Sequence, residues 1–189
     1  MATYKDKKLL TMRSQRLWEN WLEKNYRYPE TVWLKFAKKG SEKTTLSYEE
    51  ARESAIAWGW IDGLINKFDD DYYVLRFSAR RPRSKWSQIN RKIAEELLRK
   101  KGMKPSGKAE VDAAKKDGRW DAAYPSQSQI TVPDDFRKAL SKKAKANFEG
   151  LVKSQQYKFL IRIHEAKRAD TRERRIKKFA AMLERGETL

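Results

Sequence analysis

The feature that most constrains the fold is a change of hydrophobic periodicity along the chain. Before residue 80 three short stretches have the pattern or composition of strands, whereas helical spacing dominates from Pro82 onward. Alternation is typical of strands with one buried face, and recurrence every three or four residues is typical of amphipathic helices. Thr31–Ala37 alternates apolar with polar residues, and the apolar-rich stretches Trp60–Phe68 and Tyr72–Ala79, joined by three aspartates, predict a β-hairpin with an acidic turn. The sequence therefore predicts a mainly helical α+β fold, with a small antiparallel sheet of about three strands packed with helices in the N-terminal half.

Helix-boundary signals place the remaining elements. Ser47 begins a capping box and Gly59 follows the apolar face of the same segment, which predicts a helix between them. Other predicted helices are Met12–Asn25, a segment after Pro82 with Trp86, Ile89, Ile93 and Leu97 on one face, and Lys108–Lys116. The C-terminal part predicts a three-helix segment at about 134–150, 154–168 and 171–185.

The length of 189 residues favours one compact unit. Residues 1–124 form the predicted α+β part, which contains the Trp-rich and Arg-rich motifs, and residues 133–189 form the predicted helical part. The segment 121–133 is rich in Pro, Ser, Gln and Thr, a composition typical of a surface connector.

Charge limits the partners more than the fold. The chain has 44 Lys and Arg residues against 26 acidic ones, a formal net charge of +18. Such an excess favours nucleic acid or another polyanion as a partner, although a solvated surface that promotes solubility explains it equally well. From Arg80 to Lys108 eleven bases face only Glu95 and Glu96, so about half of the net charge is concentrated there.

Several classes of site are absent from the sequence. Without cysteine there is no disulfide, no thiolate zinc site and no thiol nucleophile. We predict no metal and no cofactor. Gly102–Ala109 matches a phosphate-binding loop except at its last position, and we interpret it as a helix stop followed by a turn. The single histidine, His164, is expected to pack or to make a core hydrogen bond. No transmembrane segment or signal peptide is predicted, which makes the cytoplasm the expected location.

The segment from Arg80 to Lys92 combines bases with an aromatic residue at a predicted strand-to-helix junction. Arginine side chains and the face of Trp86 together suit phosphate or carboxylate groups on a flat ligand. Alternatively, Trp86 packs inward and the arginines are solvated. Asn90 falls on the buried face of the predicted helix, where its amide needs a partner.

Two charged residues are expected near apolar surroundings. Asp62 lies between tryptophans, so it is either an acid with a raised pKa or, as we favour, an ion-pair partner of Arg80 or Arg81. Arg172 projects onto the apolar stripe of the last helix, where an arginine usually pairs with an acid. The acids that the sequence offers for it are Glu165, Asp121 and Asp62.

Four ordered motifs resemble the YdeI/OmpD-associated family, whose members are often described as bacteriocin-protection proteins. The motifs are Gly59–Gly63, Arg76–Asn90, Gly118–Tyr124 and Ala166–Ile176, and the resemblance extends from about Trp18 to Gly186. It implies protection against bacteriocins or antimicrobial peptides, and no established reaction, cofactor or catalytic residue. Together, residues and resemblance predict ligand contacts by Trp60, Arg80, Arg81, Arg83, Lys85, Trp86, Asn90, Trp120 and Arg172, with Asp62 as the candidate catalytic residue.

Three functions remain open at this point. The first is a non-enzymatic stress or protection protein that binds an anionic ligand, nucleic acid above all, through exposed bases such as Lys85, Arg91 and Lys92. The second is an enzyme that acts on an anionic small molecule in a pocket of Asp62, Arg80 and Asn90. The third is a module that engages an acidic protein partner. The sequence does not indicate the oligomeric state.

Overall fold

A computed structural model describes residues 8–189, in which the chain forms four strands and eight helices. A first compact unit comprises the chain up to Trp86 together with Asn90–Ala122, and a second comprises Ser87–Ile89 together with Ala123–Leu189. The strands are β1 (Lys8–Thr11), β2 (Val32–Ala37), β3 (Trp60–Lys67) and β4 (Tyr72–Ala79). The helices are α1 (Gln15–Asn25), α2 (Tyr48–Ala57), α3 (Gln88–Arg99), α4 (Pro105–Lys116), α5 (Asp134–Ala139), α6 (Lys142–Glu149), α7 (Lys153–His164) and α8 (Ala169–Glu184). Residues 1–7 of the predicted N-terminal part lie outside the described residues.

The first unit contains one four-stranded sheet in the order β1-β2-β4-β3. β4 pairs antiparallel with both β2 and β3, as the hairpin prediction requires. β1 adds a parallel edge to β2, with Lys8 opposite Val32. The predicted fold class is confirmed, and the sheet has one strand more than expected. Four residues are too few to show an alternation, which is why the sequence did not predict β1.

Tryptophan rings from a helix and a strand meet in the core of the first unit. Trp18 and Trp60 are fully buried, and their rings pack edge to face at 6.2 Å between centroids. The Trp18 indole N–H donates to Ala51 O at 3.0 Å, and that of Trp60 donates to Tyr26 O at 2.9 Å. Burial of these rings therefore leaves neither donor unsatisfied. The other buried members of this cluster are Leu22, Val32, Leu34, Phe36, Leu46, Ala51, Ala55, Leu75 and Phe77.

The boundaries of α2 follow the predicted signals. Ser47 and Glu50 form both hydrogen bonds of the capping box at its start. Beyond its last residue, Gly59 adopts a φ of +80°, a conformation that glycine reaches without a steric penalty. The chain then reverses directly into β3, so the two tryptophans that flank Gly59 lie at the junction of helix and sheet.

The second unit contains the helices α5 to α8. Its core is a series of phenyl rings packed edge to face, with centroids 5.6 Å apart for Phe136 and Phe148, 6.3 Å for Phe148 and Phe159, and 5.2 Å for Phe159 and Phe179. This geometry brings the positive edge of one ring to the negative face of the next.

The first predicted C-terminal helix, 134–150, is interrupted. Leu140 has an extended backbone, and the hydroxyl of Ser141 accepts a hydrogen bond from Ala144 N at 3.0 Å. Ser141 therefore caps a new helix, α6, and the segment forms two helices instead of one.

Candidate anion-binding surface

Arg80, the first residue beyond β4, contacts Gly59, Lys85 and Trp86. Its backbone N–H donates to Gly59 O at 3.0 Å and so extends the pairing of β3 with β4. Its guanidinium carbon lies 3.6 Å from the centroid of the Trp86 ring, and Nη1 donates to Lys85 O at 3.2 Å. Only 6% of Arg80 is exposed. A desolvated guanidinium is attracted to the negative face of an indole, so this contact closes the turn after β4.

The tip of this turn is stabilised by hydrogen bonds within it and by a second arginine. Arg81 N donates to Ser84 Oγ and Ser84 N donates to Arg81 O, each at 3.0 Å. Arg119 Nη1 donates to Ser84 O at 2.7 Å, and its Nε bonds both carboxylate oxygens of Asp117. Arg83 adopts a φ of +66° between these supports. The side chains of Arg81 and Arg83 are consequently exposed at a braced tip.

The predicted aromatic and amide ligands of this region are buried. Trp86 and Trp120 pack edge to face at 5.0 Å, and they are 1% and 4% exposed. Arg91 Nη1 donates to Trp120 O at 3.2 Å, while Nε binds Glu95 at 2.9 Å. Asn90 is buried as the helical projection predicts. Trp86, Trp120 and Arg91 thus pack or brace the fold, and the ligand contacts proposed for them stay a hypothesis that would require their exposure.

The remaining bases form an exposed set on the first unit, which we call the Arg80–Lys108 surface. Glu96 accepts hydrogen bonds from Arg99 and Lys100, and these lower the pKa of Glu96 to about 2. Among the residues that the structure describes, no acid lies within ion-pair distance of Arg81, Arg83, Lys92 or Lys101. The members of the surface are Arg81, Arg83, Lys85, Lys92, Arg99, Lys100, Lys101, Lys104 and Lys108.

The segment that resembles a phosphate-binding loop is a packed helix start. Gly102 N donates to Leu97 O at 2.8 Å and ends α3, as predicted. A Cβ on Gly107 would lie 2.2 Å from Ala57 O, and Ser106 Oγ donates to Trp58 O at 2.9 Å. Glycine and serine at these positions therefore let α4 approach the end of α2.

Asp62 is held by a tyrosine and not by an arginine. Its Oδ2 accepts a hydrogen bond from the Tyr48 hydroxyl at 2.7 Å. Burial, and then this bond to Asp62, raise the pKa of Tyr48. The predicted ion pair with Arg80 or Arg81 is wrong, because no arginine in the described part of the chain lies within ion-pair distance of Asp62. Asp62 contacts α2 and Arg80 contacts Trp86, so the structure does not bring these two residues together.

Arg172 forms the predicted ion pair, with a different acid. Its Nε and Nη2 bind the two carboxylate oxygens of Asp135 at 2.6 and 2.9 Å, and Nη1 donates to Ile163 O at 3.1 Å. The bidentate bond lowers the pKa of Asp135. This corrects the choice of Glu165, Asp121 or Asp62 as its partner. Asp135 lies at the start of α5. It is 37 residues away from Arg172 along the chain, so no local sequence pattern indicated that the two residues pair.

Two charged side chains close to Ser84 and Arg80 were not predicted from the sequence. Arg119 braces the turn, and its place in the motif Gly118–Tyr124 was the available signal. Glu110 on α4 is half-buried, and burial raises its pKa although Arg80 and Arg119 act in the opposite direction. His164, the last residue of α7, is exposed, which contradicts the predicted packing.

Neither a metal centre nor a membrane span is found in residues 8–189. No group of three or more His, Cys, Asp or Glu side chains is arranged to hold a metal ion there. None of the helices in this range is both long and apolar enough to cross a bilayer.

Two known families match different parts of the chain. Residues 10–110 match a family described as a domain of unknown function (DUF8412), and residues 129–186 match the family described as bacteriocin-protection, YdeI or OmpD-associated. Neither the curated proteins nor the solved structures gave a significant match.

The two matches limit the resemblance to the YdeI/OmpD-associated family, which the motifs extended from about Trp18 to Gly186, to the C-terminal part of the chain. Only Ala166–Ile176 lies within the YdeI/OmpD-associated match, whereas Gly59–Gly63 and Arg76–Asn90 lie within the other one and Gly118–Tyr124 lies within neither. The first match covers more than half of the 189 residues. The chain therefore belongs to the family described as a domain of unknown function (DUF8412), and it continues into a YdeI/OmpD-associated domain.

Proposed function

We propose that this protein is a non-enzymatic stress or protection protein that binds nucleic acid through the Arg80–Lys108 surface. Bound phosphates would supply the negative charge that no acid of the described residues supplies to Arg81, Arg83, Lys92 and Lys101. Each phosphate that a base neutralises releases condensed counterions, which makes affinity depend on salt. The proposal includes the cytoplasmic location expected from the sequence.

The observation that carries the proposal is backbone strain at two exposed bases. Among residues 8–189, the non-glycine residues with positive φ are Arg83 and Lys101, at +66° and +57°. A side chain in this conformation costs roughly 1 kcal/mol more than glycine. Both side chains point into solvent, so packing gives no reason for a long cation at either position. Such local strain is frequent where a side chain contacts a ligand.

The buried aromatic residues indicate how the ligand would be contacted. Trp86 is the only aromatic residue from Arg80 to Lys108, and it is 1% exposed. Proteins that bind single strands without sequence preference stack bases on exposed aromatic rings. With no such ring in this segment, we propose contacts to the phosphates of a duplex and little sequence preference.

The bacteriocin-protection role in the description of the second family supplies a biological setting. A chain with a net charge of +18 repels cationic peptides at long range, so direct capture of such a peptide is disfavoured. We therefore propose that any protection acts through the anionic partner. If the anionic partner is an acidic protein instead of nucleic acid, the two proteins should stay associated after nuclease treatment.

Fluorescence anisotropy tests the proposal. Labelled duplex RNA, duplex DNA, a single strand and heparin are titrated with the protein at a low and at a physiological salt concentration. We expect duplexes to bind at low salt, with a large loss of affinity at the higher one and no change in tryptophan fluorescence. Absence of binding to every polyanion at low salt contradicts the proposed function. Preferred binding of the single strand with tryptophan quenching contradicts the duplex mode alone.

A further inference from the structure

α7 and α8 of the second unit pack side by side in opposite directions. The rings of Phe159 and Phe179 meet edge to face at 5.2 Å between centroids. Farther along α7, Arg162 O accepts a hydrogen bond from Nη1 of Arg175, which lies before Phe179 on α8. The later residue of α7 thus meets the earlier residue of α8, so the two helices are antiparallel and a seam runs between them.

Four bases border this seam. Lys158 and Arg162 are four positions apart on α7, so they share a face of that helix. Arg175 and Lys178 are three positions apart on α8 and share a face in the same way. Because Arg175 contacts Arg162, both faces border the seam, and Lys158, Arg162 and Lys178 are exposed. We call these four residues the basic seam.

The acids that precede the basic seam on α8 bind other bases. Asp170 binds Arg168, and Glu173 binds Lys177 at 2.7 Å. Among residues 8–189, no acidic side chain lies within ion-pair distance of any base of the seam. Like charges that share a helix face repel each other and destabilise the helix. A bound anion would compensate this repulsion.

Two of the four bases also support the fold. Arg175 satisfies Arg162 O, which is one of the last four carbonyls of α7 and has no partner within that helix. Lys158 Nζ donates to Leu189 O at 3.3 Å. The side chains of Arg162 and Lys178 are exposed and form no described hydrogen bond or ion pair. These two residues are therefore the best probes of ligand binding, because changing them removes no stabilising contact.

We propose that the basic seam is a second phosphate-binding surface and that duplex nucleic acid is its ligand. This inference rests on the proposed function and extends it to the YdeI/OmpD-associated domain, residues 129–186. Guanidinium groups form paired, charge-assisted hydrogen bonds with phosphate oxygens, and the seam contains two arginines. The bases are spread over about 5 Å along each helix axis, so consecutive phosphates of a strand neutralise them better than one small anion does.

Acetylation of lysine side chains, followed by mass spectrometry, tests the inference on the full wild-type chain at low salt. A phosphate bound at Lys178 shields its Nζ from the reagent, so saturating duplex RNA or duplex DNA should lower the acetylation rate of Lys178 several-fold. Lys177 is the matched control, because it lies one position away, on another face of α8, and is bound to Glu173. Its acetylation rate should be the same with and without duplex.

Arg162→Gln removes one phosphate contact while Lys178 remains as the probe. We expect the duplex concentration that half-shields Lys178 to rise about tenfold at low salt, which is the share of one phosphate contact. Shielding of Lys101 on the Arg80–Lys108 surface should be unchanged. Arg137→Gln is the control, because it removes an exposed arginine from α5 of the same unit and should leave the shielding of Lys178 as in the wild type.

The two lysine probes distinguish failure of this inference from failure of the proposed function. If duplexes bind and shield Lys101 while Lys178 reacts as fast as without duplex, the inference is overturned and the proposed function stands. Shielding of Lys178 without Lys101 supports the seam and contradicts the Arg80–Lys108 surface. Full shielding of Lys178 in the Arg162→Gln variant, or shielding by heparin and by no duplex, also overturns the inference. Absence of binding to every polyanion overturns both.

Discussion

An arginine is fixed in each of the two compact units, and the two are stabilised in different ways. Arg80 in the first unit is buried, lies flat on an indole and donates to a backbone carbonyl. Arg172 in the second unit keeps 29% of its side chain exposed and binds the carboxylate of Asp135. A buried arginine removed from its neighbours leaves a cavity and unsatisfied groups, whereas an exposed ion pair is screened by water. We therefore expect the first unit to depend on its arginine far more than the second does.

Replacement of Arg80 should have the largest effect. Arg80→Ala removes the cation–π contact and the hydrogen bond to Lys85 O, and we expect it to lower the free energy of unfolding of the first unit by about 3 kcal/mol. Urea unfolding followed by tryptophan fluorescence measures this unit alone, because all seven tryptophans lie in it. Arg81→Ala, one residue along and exposed, should change the value by less than about 0.5 kcal/mol. Equal effects of the two substitutions would show that Arg80 is not a structural residue.

Replacement of a glycine by alanine should also destabilise the first unit more than the second. Gly107→Ala introduces a Cβ 2.2 Å from Ala57 O and should destabilise the first unit by about 2 kcal/mol, the usual cost of overpacking. In the second unit, Gly150→Ala meets its nearest atom at 3.4 Å and should be nearly neutral. Thermal unfolding followed by circular dichroism compares the two variants. An unchanged melting temperature for Gly107→Ala would contradict the close contact of α4 with α2.

Low pH should weaken the ion pair between Arg172 and Asp135 in the second unit. The Arg172 guanidinium lowers the pKa of Asp135, so the pair stabilises the fold above the ordinary aspartate pKa and is lost as pH falls through the lowered value. Asp135→Asn should cost about 0.5 to 1 kcal/mol at neutral pH, since the pair is largely exposed, and nothing in strong acid. Helical circular dichroism against urea at several pH values measures the difference. A cost that stays constant with pH would exclude the ion pair as its origin.

Glu110 should give the smallest effect and the opposite pH dependence. Burial raises its pKa, so its contribution is fully present below the unfolded-state pKa and is lost as pH rises through the raised value. Glu110→Gln mimics the protonated acid and should stabilise the first unit at neutral pH by less than about 1 kcal/mol. Tryptophan-detected urea unfolding at neutral and acidic pH checks the sign. Destabilisation at neutral pH would mean that its attraction to Arg80 and Arg119 outweighs burial.

Local signals predicted most of the fold, and long-range contacts account for what they missed. The strands from Val32 onward, the helix stop at Gly59 and the turn at Gly102 follow from periodicity and glycine placement in neighbouring residues. The partner of Arg172, the close approach at Gly107 and the bracing of Ser84 by Arg119 join residues 35 to 50 positions apart along the chain. For the site, the sequence located the basic stretch. It did not show that Trp86 and Arg80 pack inward while Arg81 and Arg83 are exposed.

The salt dependence of duplex binding tests the central claim most directly. The double variant Arg81→Gln/Arg83→Asn removes two exposed bases at the braced tip, and asparagine tolerates the positive φ at position 83. Lys142→Gln/Lys143→Gln on α6 removes the same charge from the second unit and serves as the control. We expect the slope of log affinity against log salt to shrink by about 2 for the first variant, or about 0.9 per phosphate contact, and to stay unchanged for the control. Equal slopes for the wild type and the Arg81→Gln/Arg83→Asn variant would contradict the assignment of this surface to phosphate binding.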